Sequence, residues 1–125
     1  MSTLNVSNIT DGTTTVGTSY VVNGSAKAWV HYTGVSTATI QGSLNASSIT
    51  DNGTGIHTLN YTNAMTNAYY ACPMGGRNSA SGTYIGMGSG VGGVTSSSIQ
   101  MRVIDGGSTF YDYPNITVAV HGDLA

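Results

Sequence analysis

The side chains in this chain that could do chemistry are His31, His57 and His121, the aspartates, the lone Cys72 and a glycine-rich run. The three histidines are spread along the chain with none of the short spacings of a metal-binding pair. A zinc site built from them would still need a fourth ligand and a supporting shell. Solvated or hydrogen-bonded strand histidines are the expectation, and no metal or cofactor is expected. Asp112 lies between Tyr111 and Tyr113, and an aromatic pocket can raise a carboxyl pKa for acid–base work. Its plainer role is to accept hydrogen bonds in a turn just before Pro114. Cys72 sits in the apolar stretch Tyr69-Tyr70-Ala71-Cys72-Pro73-Met74 with no cation nearby, so it reads as a small buried hydrophobe, not a reactive thiol. Gly86-Met87-Gly88-Ser89-Gly90-Val91-Gly92-Gly93 lacks the Lys and Ser/Thr of a phosphate loop and the strand–helix context of a dinucleotide fingerprint. No Gly-X-Ser-X-Gly elbow occurs. The chain reads as no enzyme.

Composition narrows the partners. Only 6% of the 125 residues are charged and the net charge is −2, against about a quarter charged in an ordinary domain. Phosphate neutralisation needs clustered Lys and Arg, so nucleic acid is not an expected partner, and neither is an anionic membrane. No apolar stretch approaches the roughly 20 residues of a helical span. Hydrophobic residues reach 39%, too many for a disordered chain. Ser, Thr, Asn and Gly carry the polarity, and such a surface packs against copies or neighbours with few charges to desolvate. Seven Asn-X-Ser/Thr sequons arise from that composition, and the N-terminus has no secretory pattern, so they carry no weight. The eight tyrosines, with one Trp and one Phe, leave a sugar-stacking surface open. The plainer reading places Tyr32, Tyr61, Tyr69 and Tyr84 in a β core with their hydroxyls at its edge.

The elements that must position these residues read as strands. Leu4 and Val6 alternate and permit a short strand; the rest of residues 1–25 reads as an extended arm turning at Asp11-Gly12. From residue 26 to 125 one β domain follows. Strands are expected at 28–32, 35–40, 44–49, 56–61, 68–74, 83–87, 98–104 and 116–121. The sharpest signal is a hairpin turning at Asn52-Gly53, with Leu59 and Tyr61 as apolar members of its return strand. Gly82–Gly93 reads as a loop or a twisted strand, and Asp105-Gly106-Gly107 as a turn. Helical periodicity is absent. The expected fold is an all-β, jelly-roll-like antiparallel sandwich.

Lys27-Ala28-Trp29-Val30, Ser47-Ser48-Ile49-Thr50-Asp51-Asn52-Gly53-Thr54-Gly55, Leu59-Asn60-Tyr61-Thr62-Asn63-Ala64-Met65 and the ending Ile116 to Asp123 resemble a family of small bacteriophage proteins. These are frequent in marine and cyanobacterial phages and are usually described as tail-fibre or other virion proteins. The resemblance runs from Lys27 to Asp123, except that Cys72 to Ser98 matches nothing in it, and a partner-specific loop would sit there. It implies a virion structural protein without a catalytic motif. A chain of this size suits a capsid decoration (cement) protein whose arm clips over capsid subunits; a tail-fibre tip module binding a host receptor and a carbohydrate-binding module are the alternatives. The expected partners are the chain itself, as a homotrimer, a major capsid or tail protein, and a host surface glycan. Candidate contacts are Leu4, Val6 and Ile9 in the arm and Arg77, Tyr84 and Met87 in the middle.

Overall fold

Strict alternation of apolar and small polar residues builds two sheets with one wet and one dry face each. The computed structural model describes residues 1–77, 86–104 and 109–125. Its strands are β1 (Asn8–Thr10), β2 (Thr15–Gly17), β3 (Ala28–Thr33), β4 (Thr39–Leu44), β5 (Ala46–Gly53), β6 (Ile56–Tyr61), β7 (Met74–Arg77), β8 (Gly86–Val94), β9 (Ser98–Ile104) and β10 (Asn115–Val120), with one helix, α1 (Thr18–Gly24). Two four-stranded antiparallel sheets, β4-β3-β10-β7 and β5-β6-β9-β8, carry the body of the fold. From the first sheet Ala28, Val30, Tyr32, Ile116, Val118 and Val120 point inward; from the second come His57, Leu59, Tyr61, Ile99, Met101 and Val103. These faces close one core, and the Tyr32 hydroxyl reaches across it to within 3.9 Å of Met101 Sδ. The fold is all-β and sandwich-like. Three sequence-adjacent pairs are also sheet neighbours, β3–β4 in the first sheet and β5–β6 and β8–β9 in the second, and these orders do not confirm a jelly roll.

Several local readings shift. The connection in the β5–β6 hairpin is Thr54-Gly55 instead of Asn52-Gly53: Gly53 pairs with Ile56, and the register slips between Asp51 and Gly53. Gly55 takes φ +65°, and a Cβ there would stand 2.6 Å from the Val103 carbonyl oxygen and 2.7 Å from Tyr111 N, so only glycine fits. The strand expected at 35–40 begins at Thr39. The one expected at 68–74 contracts to a single bridge, Ala71 to His121, before β7 starts at Met74. The described part of the glycine-rich run, from Gly86, is strand, with Gly86 opposite Ile104 and Val94 opposite Ile99, and the beginning of the strand expected at 83–87 lies outside the described residues. The Asp105-Gly106-Gly107 turn lies outside the described residues. Asn45 turns the chain from β4 into β5 at φ +52°. Its amide donates to the Lys27 and Asn63 carbonyls, and its Oδ1 accepts from Asn63 N–H at 2.7 Å.

Residues 1–25 hold more structure than an alternating Leu4–Val6 pair suggests, and it begins later. Residues 1–6 form no strand; β1 and β2 pair through a turn in which Asp11 Oδ1 accepts from the N–H groups of Thr13 and Thr14 at 3.0 and 2.7 Å. Those two bonds, Thr14 first, hold the Asp11 carboxyl below its ordinary pKa. Thr18 opens α1 and bonds back to the Val6 and Ser7 carbonyls. A helix of seven residues is marginal alone, and here its C-terminal end is satisfied from outside. Lys27 Nζ donates to the Val22 and Ser25 carbonyls, and His121 Nδ1 donates to the Gly24 carbonyl at 2.8 Å. Those contacts, with Lys27 N–H to the Val120 carbonyl at 2.7 Å, tie the end of the arm to the sandwich.

Candidate functional site

His57 and Asp112 are the pair closest to acid–base geometry. β6 points His57 into the core, where it exposes 0% of its surface and stacks edge-on against Tyr32 at 5.4 Å. Nε2 lies 3.7 Å from Asp112 Oδ1, beyond hydrogen-bond length, and neither ring nitrogen has a hydrogen-bond partner among the described residues. Gly34 closes over the ring: a Cβ there would meet His57 Cε1 at 2.8 Å. Burial pushes the imidazole pKa below its ordinary value, against the smaller pull of Asp112 and then Asp51. His57 is therefore neutral at pH 7 and sealed from substrate. Asp112 accepts from Gly55 N–H at 2.7 Å; this is a long-range bond to the β5–β6 connection and not the local turn contact before Pro114 expected from the sequence. The expectation of a solvated or hydrogen-bonded histidine fails for His57, because its period-two position in β6 is shared with Leu59 and Tyr61.

The other chemical candidates separate. His31 lies on the outer face of the first sheet and His121 beside the end of the arm. Cys72 is half-buried, and burial pushes its thiol up to about 11, so little thiolate exists at pH 7. Tyr32 and Tyr61 are core residues as read, but their hydroxyls are buried and not at its edge, and burial pushes their pKa upward. Tyr69 is not: it is 93% exposed, because the segment around it forms no strand. Tyr113 takes a core place instead.

The arm presents apolar side chains to solvent. Leu4 is 83% and Tyr20 75% exposed, and Val6, Ile9, Val16, Val21 and Val22 are exposed too. No residue of α1 is buried. Leu4, Val6 and Ile9 thus share one exposed segment, whereas Arg77 sits at the far end of the fold's first sheet and Met87 in β8 opposite Val103. Tyr84 lies outside the described residues. No protein-family model, curated protein or solved structure matches this chain. Its functional reading rests on its own surface.

That surface has two unlike sheet faces. On the second sheet, Asn60 Nδ2 donates to Ser48 Oγ and Thr50 Oγ1, both at 3.0 Å, and Thr58 Oγ1 donates to Asn52 Oδ1 at 2.7 Å, so short polar side chains pair with one another. On the first sheet Trp29, 40% exposed, lies over Gly42 and bounds an open groove of about 540 Å³ with His31, Pro73, Gly75, Thr117 and Ala119. A second hollow continues it past His31 and Thr117 to Asn115 and Arg77. Trp29 was read as a strand residue, with sugar stacking left open by the Tyr and Trp content alone; the signal that it faces out is its alternation with the buried Ala28, Val30 and Tyr32.

Proposed function

We propose that this chain is a non-catalytic structural protein of a bacteriophage particle, a capsid decoration domain held on the shell by residues 1–25. One observation carries the reading: the apolar side chains from Leu4 to Val22 are exposed while the sandwich behind them has a complete core. Isolated apolar residues on a surface need no explanation, but a run of them along one tethered segment marks a contact surface. The uncharged polar surface supports the same reading, since packing against neighbours desolvates few charges. The resemblance of the Lys27–Val30 and Ser47–Gly55 blocks to small phage virion proteins supplies the type of assembly. In this reading the chain forms a closed homotrimer, as cyclic symmetry favours.

Copy number in purified particles, by quantitative mass spectrometry against the major capsid protein, tests the proposal. A ratio near one supports decoration of the shell. A ratio of a few per cent moves the chain to the tail, as a fibre-tip module. Absence from particles overturns the virion reading. Light scattering of the purified chain at a monomer mass, repeated on protein released from particles, overturns the trimer.

A further inference from the structure

The groove on the first sheet has a different character from the arm, and its residues suit a ligand instead of a protein face. At one end Trp29, 40% exposed, borders the groove beside Pro73, Gly75 and Ala119, whose side chains are absent, small or rigid. At the other end are polar groups with hydrogen-bonding capacity to spare. His31 Nε2 donates to Asn115 Oδ1 at 3.3 Å, and among the described residues the Asn115 amide keeps its own N–H donors. Thr117 Oγ1 donates to the Gly75 carbonyl at 3.2 Å and still accepts. Arg77, exposed at the end of β7, adds a forked cation.

The register sets the length. On β10, Ala119 stands opposite Trp29, Thr117 opposite both His31 and Gly75, and Asn115 opposite Arg77. Four residues of strand are about 14 Å, so a ligand touching both ends is extended. The charge is one-sided: no aspartate lines the groove among the described residues, and Arg77 has no carboxylate partner there. An apolar ring surface, the Asn115 amide donors, the Thr117 hydroxyl as acceptor and one cation describe a saccharide chain that carries acid groups. Its sugar ring would lie on Trp29, and its carboxylate or sulfate would meet Arg77.

We infer that this face binds an acidic oligosaccharide along the line from Trp29 to Arg77. The inference stands apart from the arm and from any position on a particle, because the isolated chain is sufficient to test it. Trp29 is the only tryptophan, so its fluorescence reports occupancy directly. The full chain is titrated with oligomers of galacturonate, glucuronate and sialic acid, and with a neutral gluco-oligosaccharide of equal length. At least one acidic oligomer is expected to shift the emission saturably and to bind more than tenfold tighter than the neutral one. In Trp29→Ala, followed by calorimetry, affinity falls at least tenfold, and Trp29→Phe restores most of it. Arg77→Gln lowers acidic affinity about tenfold and leaves the neutral sugar unchanged, while circular dichroism shows all three variants folded. Binding of none of these sugars overturns the inference. So does equal binding of acidic and neutral chains that is indifferent to Arg77→Gln.

Discussion

The arm and the sandwich are built from similar residues and end in opposite states. In the sandwich, alternate positions such as Val30 and Tyr32, or Leu59 and Tyr61, find a second sheet about 10 Å away and disappear from solvent. In the arm, Ile9 and Val16 sit directly opposite each other on β1 and β2, yet both stay exposed, because among the described residues no second layer covers the hairpin. Two three-residue strands cannot bury a face by themselves. Stability therefore belongs to the sandwich, and the arm's apolar surface is left to whatever it touches. Two regions with the same alphabet divide the work by layering alone.

The strongest test of that division lies at Gly55. Gly55→Ala sets a Cβ against the Val103 carbonyl oxygen and Tyr111 N, both backbone atoms, at a positive φ. The loss expected is about 4 kcal/mol or more, measured by urea unfolding. A loss under about 1 kcal/mol would mean the loop carrying Asp112 does not close over this hairpin. Next in size is a matched pair. Leu59→Ala, fully buried, should cost about 2–5 kcal/mol, while Ile9→Ala should stay within about 0.5 kcal/mol. Similar costs at the two positions would erase the distinction between core and arm.

How much of this was legible in the sequence follows from the same contrast. Strands with a strict two-residue period and one buried face, Ala28–Thr33, Ile56–Tyr61 and Ser98–Ile104, stand where the alternation put them. The expected strands at 35–40 and 68–74 moved, since weakly patterned edge segments are positioned by their neighbours instead of by their own period. The α1 helix was missed because its own propensity is poor; Lys27 and His121, contributed by later residues, complete its end. Residue type misled at His57, read as a surface or bonded group while its position in β6 was that of a core residue. The exposed arm residues Leu4, Val6 and Ile9 were readable from their sparse spacing. The groove was not, because it joins β3, β7 and β10, which only the fold brings together.

His57 makes the core of the sandwich responsive to acid. Its folded pKa lies below the unfolded value of about 6.5, so the proton binds the unfolded chain better. Stability is complete above pH 6.5 and declines as pH falls through the folded pKa. Thermal unfolding followed from pH 7.5 to pH 4.5 should show that decline. His57→Leu removes the imidazole and should flatten it in the upper part of the range, at a cost within about 1.5 kcal/mol at pH 7.5 for a similar volume. An unchanged pH profile in the variant would assign the acid sensitivity to other groups.

The smallest effect on stability, and the most telling one, is expected in the arm. Leu4→Ser, Ile9→Ser and Tyr20→Ser together remove three exposed apolar side chains that support no core, so the unfolding midpoint should barely move. If the arm is the docking segment, the same triple variant loses binding to shells that lack this protein, as cosedimentation would show. The sandwich then remains folded and free in the supernatant. Retained binding transfers docking to the body of the domain. A large fall in the midpoint carries a different lesson: the arm would be packing on its own sandwich in solution, and its apolar residues would belong to the fold after all. Reading stability and binding on one variant separates those outcomes, because a surface held for a partner changes binding alone.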